Sequence, residues 1–123
     1  MNKLFIVLLM VFCHIVDDYY LQGRLASAKQ KKYWQDYAPD NMYKYDYLWA
    51  LIMHSFSWSF MIMLPIALAR CFDVGLPFLI MLICNMVIHA LVDNLKANEK
   101  KINLWVDQII HLVQIALTVQ VLL

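Results

Sequence analysis

Three histidine–aspartate pairs at helical spacing carry the chemical interest of this chain: His14 with Asp18, His89 with Asp93 and, in mirrored order, Asp107 with His111. His54 is the remaining histidine. Side chains four residues apart on a helix share a face. Two such donors can serve one ion, as the histidines of an H-E-x-x-H helix do. Imidazole with carboxylate suits Zn²⁺ first, with Mn²⁺ or non-haem iron as alternatives, rather than Ca²⁺ or Cu(I). The expected metal set is His14, Asp18, His54, His89, Asp93, Asp107 and His111, seven donors in all. That exceeds one tetrahedral ion. It fits two ions with open positions, or one ion with outer carboxylates orienting its imidazoles.

The elements that must position these groups are membrane helices. Of the 123 residues, 63% are apolar and only 15% charged, against about 45–50% and about 25% in an ordinary globular chain. The net charge of +1 shows no basic face that would call for a nucleic-acid partner. Three cysteines, Cys13, Cys71 and Cys84, lack metal-knuckle spacing and read as buried free thiols. A helix needs about 20 largely apolar residues to cross the hydrocarbon. Helices are expected at about residues 2–22, 48–69, 75–95 and 102–123, forming one all-α transmembrane four-helix bundle over 1–123. The N-terminal run imitates a signal peptide, but no small-x-small site follows it, so it reads as the first span. Nothing alternates with period two over strand length, which argues against a transmembrane barrel.

The connection 23–47 is polar and rich in tyrosine and tryptophan, suited to the headgroup zone, and 24–37 within it could form a short surface helix. Eight Lys and Arg residues fall in the first and third connections and two, Lys3 and Arg70, on the opposite side. The positive-inside rule then places those connections in the cytoplasm and both termini outside, in a multi-pass protein of a bacterial-type inner membrane.

At about 1.5 Å rise per residue, the four histidines and Asp18, Asp93 and Asp107 all fall within one leaflet. Each helix carries a single polar stripe: His14, Asp18 and Gln22; Asn85, His89 and Asp93; Asn103, Asp107, His111 and Gln114. An aspartate at a helix centre costs roughly 2.5–3.5 kcal/mol on insertion scales, so these stripes must face a partner or a cavity. Interhelical hydrogen bonds return about 0.6 kcal/mol each, too little to offset three buried carboxylates, whereas a cation compensates them directly. The order His-x-x-x-Asp then His, in residues 14–54 and again in 89–111, also hints at a parallel two-fold repeat, broken where Ala50 stands in place of an aspartate.

With these residues in view, the chain resembles the small membrane proteins grouped as domain of unknown function 3307. That pattern has H-x-x-x-D-[aromatic]-x-L-Q followed shortly by a lysine, then a histidine, then H-x-x-x-D-x-x-K, then D-Q-x-x-H. Here these read His14–Gln22, His54, His89–Lys96 and Asp107–His111. Asp17 departs from the pattern, which has a small residue there. The resemblance implies no activity.

Two readings of function are open. The first is a metal-dependent hydrolase acting at the cytoplasmic leaflet on a lipid or lipid-linked substrate, with Asp18, Asp93, Asp107 and Lys96 as catalytic candidates. In this reading Lys96 meets a lipid phosphate, and Gln22 and Gln108 orient water or a headgroup; the alternative for Lys96 is a helix-end lysine snorkelling to the interface. The second is a non-enzymatic membrane protein, a metal or proton conduit or a small effector, since buried Asp/His chains also mark ion pathways. Haem ligation is disfavoured by the aspartates. So small a bundle is compatible with a homodimer.

Overall fold

The computed structural model describes residues 2–123. Six α-helices run in order: α1 (Lys3–Val16), α2 (Leu25–Ala28), α3 (Lys31–Tyr37), α4 (Asp46–Ala69), α5 (Leu76–Ala97) and α6 (Leu104–Leu122). The end of α1 opens into a π-turn over Asp17–Leu21, and a 3₁₀ turn at Asn41–Tyr43 leads into α4. Among the described residues four stretches are long and apolar enough to cross a membrane: Lys3–Leu21, Asn41–Ala69, Leu76–Ala97 and Leu104–Leu122. Among the described residues there is no strand.

Local chemistry sets the boundaries. Asn2 caps α1, its Oδ1 accepting from the Leu4 amide at 2.8 Å. Asn103 caps α6 in the same way through the Val106 amide at 3.0 Å, so this helix begins at 104 rather than the expected 102. Helix α4 begins two residues earlier than expected because Asp46 sits in its first turn, where a carboxylate is favoured by the helix dipole. Pro77 in the first turn of α5 has no amide to lose. Between α4 and α5 the chain reverses through Cys71 and Phe72, both at positive φ, and Arg70 donates to the Leu122 carbonyl, tying the ends of α4 and α6 together.

The surface helix expected over 24–37 is two helices broken at Lys29–Gln30. Asn98, just past α5, makes the break: its Oδ1 accepts from the Lys31 amide at 2.7 Å and its Nδ2 donates to the Lys29 carbonyl at 2.9 Å. The cysteines are free, but Cys71 and Cys84 are exposed rather than buried. Cys84 lies on the outer face of α5, where lipid supplies the apolar surroundings that a core would.

The interior divides along the bundle axis. One end is apolar, packed from Ile6 and Met10 of α1, Ile62, Met63 and Ile66 of α4, Phe78 of α5 and Ile115, Val119 and Leu122 of α6. The other end holds the buried polar groups, including all four histidines. Trp58, fully buried, stands at the boundary.

Candidate metal centre

Helices α1, α4, α5 and α6 each send one histidine to the polar end, and these four rings touch. The imidazole of His89 is stacked between Trp58 and His111, with centroids 4.2 Å apart on both sides. His54 meets His89 edge-on at 5.0 Å, and His14 meets His111 at 5.8 Å. Rings in such contact leave no slot for a porphyrin.

Four donor atoms converge at the centre of this group. His54 Nε2 lies 3.1 Å from His89 Nε2, 3.2 Å from Asp18 Oδ1 and 3.4 Å from Asp93 Oδ2. His89 Nε2 lies 3.6 Å from Asp93 Oδ2 and 3.9 Å from Asp18 Oδ1. A tetrahedral ion with bonds of about 2.0–2.1 Å separates its ligand atoms by about 3.3–3.4 Å. The five separations scatter around that value. Asp18, His54 and His89 form one group that could hold a metal ion, and His89, Asp93 and His111 form another.

The groups behind these donors fix their direction. Asp17 is buried beside His54, its Oδ2 3.6 Å from Nδ1, while its Oδ1 accepts from the Ser57 hydroxyl at 2.6 Å. A carboxylate at Nδ1 favours the proton there and leaves Nε2 as a lone pair. The π-turn makes this geometry available. With more residues per turn, successive side chains fan through a smaller angle, so Asp17 and Asp18 flank the same imidazole. Such widened turns recur at functional sites.

His111 is oriented from the opposite side. Its Nδ1 donates to Gln114 Oε1 at 3.0 Å, and Gln114 Nε2 in turn donates to the carbonyl and side chain of Asn85. Its Nε2 faces Asp107 Oδ1, an acceptor, at 3.3 Å. Neither atom has a hydrogen-bond partner, and both are buried. An imidazole nitrogen and a carboxylate oxygen this close repel unless a proton lies between them.

His14 is placed differently from the other three. Trp58 Nε1 donates to its Nδ1 at 2.8 Å, and its Nε2 meets Gln108 Oε1 at 3.0 Å. The indole N–H is only a donor, so Nε2 carries the proton and donates to Gln108. Gln108 Nε2 continues the chain to Asp107 Oδ2 at 2.9 Å. Both ring nitrogens of His14 are thereby engaged, and it acts on Asp107 through Gln108 rather than offering a lone pair to an ion.

Two lysines close the site. Lys96 donates to Asp107 Oδ2 at 2.9 Å. Lys29, from the break between α2 and α3, is buried and donates to Asp93 Oδ2 at 2.7 Å. The carboxylates of Asp17, Asp18, Asp93 and Asp107 are set against two ammonium groups and the one proton between Asp107 and His111, which leaves one negative charge uncompensated. Each unpaired buried charge costs several kcal/mol, which a bound cation would offset.

The sequence pattern missed Asp17, Lys29 and Trp58 as members of this cluster. Lys29 had a signal, the lysine that follows the first motif. Asp17 and Trp58 had none, because the π-turn that directs Asp17 inward and the ring that carries three imidazoles are products of packing.

A cleft of about 240 Å³ opens beside the cluster, lined by Asp18, Tyr19, Gln22, Lys29, Asp93, Lys96, Leu104 and Gln108. Comparison with curated proteins and with solved structures finds no match. A family model matches residues 4–123, essentially the whole described chain, and the chain belongs to that family, DUF3307, described as a protein of unknown function.

Proposed function

We propose that this is a membrane metal-binding protein that hydrolyses a lipid or lipid-linked ester at the leaflet holding its polar end. The observation that carries the reading is the convergence of His54 Nε2, His89 Nε2, Asp18 Oδ1 and Asp93 Oδ2 at 3.1–3.9 Å within a buried cluster that carries a surplus negative charge. These four atoms are the proposed ligands, with Zn²⁺ first by donor type and Mn²⁺ or iron as alternatives. Bound there, a divalent ion supplies a polarising charge and an acidified water.

The chain's own residues do the rest. Asp17 holds the tautomer of His54, and Gln114 that of His111. Asp107 Oδ1 and His111 Nε2 share one proton between them. In hydrolysis, water adds its oxygen to the acyl carbon or phosphorus, the ester bond breaks, and the leaving oxygen takes the pair's proton. The proton that water loses then refills the pair. Trp58, His14 and Gln108 keep Asp107 in place throughout. A conduit is less well supported, because the bundle beyond Asn85, Gln114 and Thr118 is filled by apolar side chains.

The test is hydrolysis by purified, cation-loaded protein in vesicles containing phosphate-ester and acyl-ester lipids, followed by release of phosphate and fatty acid. Turnover should appear for one class and fall at least about 10²-fold in His54→Ala. Absence of turnover on both classes by protein that binds its ion would retire the hydrolase and leave a binding protein.

A further inference from the structure

The cleft beside the cluster has a composition that the ion alone does not explain. Its polar wall carries both buried-site lysines, Lys29 and Lys96, together with Gln22 and Gln108. Each ammonium has three donors and each spends one on an aspartate, which leaves further N–H donors on groups that line the opening. The other wall is Tyr19, from the end of α1, and Leu104, at the start of α6, and both side chains are exposed on the outside of the bundle. Asp18 and Asp93 line the same opening, so the cleft carries charges of both signs within and is apolar at its lip, between two helices that face lipid.

We infer that this cleft binds a phosphate-class anion, the headgroup of an amphiphile entering between Tyr19 and Leu104, on Lys29 and Lys96. This rests on the metal reading above, through the balance of charge. Without a cation the cluster carries one surplus negative charge, and Asp18 and Asp93 repel an anion from the same opening. With a divalent ion in place the balance turns positive and the unspent lysine donors face an anion unopposed. Cation and anion must then strengthen each other's binding by the same factor, as linkage requires. Lys29 gains a second consequence. Its tie to Asp93 Oδ2, one of the proposed ligand atoms, makes it the residue through which the two ligands meet.

The same phosphate chemistry could come from a lipid or from solution, and two non-hydrolysable probes separate them: n-decylphosphonate and methylphosphonate. Binding of each is measured by calorimetry on detergent-purified full-length protein, chelator-stripped and Mn²⁺-loaded, with manganese content determined on the same samples. The variants are Lys29→Gln and Lys96→Gln, which keep an N–H donor for their aspartates and so spare the fold. Decylphosphonate should bind the loaded protein at least about tenfold more tightly than the stripped protein, and each variant should lose about tenfold or more, the value of a charge-assisted hydrogen bond. Tighter binding of decylphosphonate than of methylphosphonate assigns the anion to a lipid, and equal binding assigns it to solution. Full manganese occupancy with no difference between wild type and the two variants overturns the anion site while leaving the metal centre standing. Failure to bind manganese, zinc or iron overturns the metal reading and this inference with it.

Discussion

Replacing Asp17 by asparagine keeps the size of the side chain and removes its charge, and the neighbouring groups set the consequence. The amide oxygen can still accept from Ser57, as Oδ1 now does at 2.6 Å. The NH₂ group then points at His54 Nδ1, which Oδ2 faces at 3.6 Å in the native protein. A donor in that position turns Nδ1 into an acceptor and moves the imidazole proton to Nε2. Yet Nε2 is the atom that approaches His89, Asp18 and Asp93 within 3.1–3.4 Å, and a protonated nitrogen cannot ligate. Loss of an outer carboxylate typically lowers metal affinity about 10–100-fold, or about 1.4–2.7 kcal/mol. The tautomer change puts Asp17→Asn at the upper end of that range. Stability of the stripped protein should move the other way, because the uncompensated buried charge has gone. The assay is Zn²⁺ titration against a competing chelator, with thermal unfolding of the stripped protein in the same detergent. Ser57→Ala serves as the comparison, leaving the carboxylate in place, and should weaken binding less. An Asp17→Asn protein that binds Zn²⁺ within about twofold of wild type would refute the assignment of Asp17 and of the His54 tautomer.

Three further outcomes are expected. Asp107→Asn should retain its ion, since Asp107 is outside the four proposed ligands, while hydrolysis falls at least about 10²-fold; unchanged turnover would remove the proton-holding role. Trp58→Phe preserves the ring on which His89 stacks but removes the N–H bound to His14 at 2.8 Å. It should destabilise the protein by about 1–2 kcal/mol in detergent unfolding, and an unaltered midpoint would contradict the Trp58–His14–Gln108–Asp107 chain. For orientation, single cysteines at Gln30 and Leu123, both exposed, are placed in a cysteine-free background. An impermeant reagent applied to intact cells should label position 123 and spare position 30, and the reverse pattern would invert the topology drawn from the lysine and arginine count.

Much of the architecture is legible in the sequence because membrane helices announce themselves by length and hydropathy. The His/Asp stripes also announce their inward faces, since ionisable groups are too costly against lipid. Spacing along one helix therefore identifies which residues meet at the polar end. What spacing cannot express is the far side of each ring. The division of His14 from His54, His89 and His111 depends on Trp58, whose indole could as easily have been one more apolar core residue. The inward turn of Asp17 depends on a π-turn that no residue type in "DDYYL" demands. Lys29 enters only because Asn98, 69 residues away in the chain, holds its carbonyl and breaks the surface helix there. Two helix starts moved by two residues each where Asn103 and Asp46 took up capping and first-turn positions.

The central claim is that a divalent cation completes the buried His/Asp cluster, and the most direct measurement is elemental analysis of the detergent-purified protein joined to its thermal midpoint with and without exhaustive chelation. Cation present at a hundredfold its Kd stabilises the folded state by about 2.7 kcal/mol. The protein should therefore carry close to one equivalent of zinc, manganese or iron (two if the His89, Asp93 and His111 group also fills), lose midpoint on chelation and recover it on reloading. His54→Ala should neither hold the metal nor respond. A protein free of transition metal whose midpoint is indifferent to both chelation and reloading would contradict the account, and the histidines and aspartates would then be joining helices rather than holding an ion.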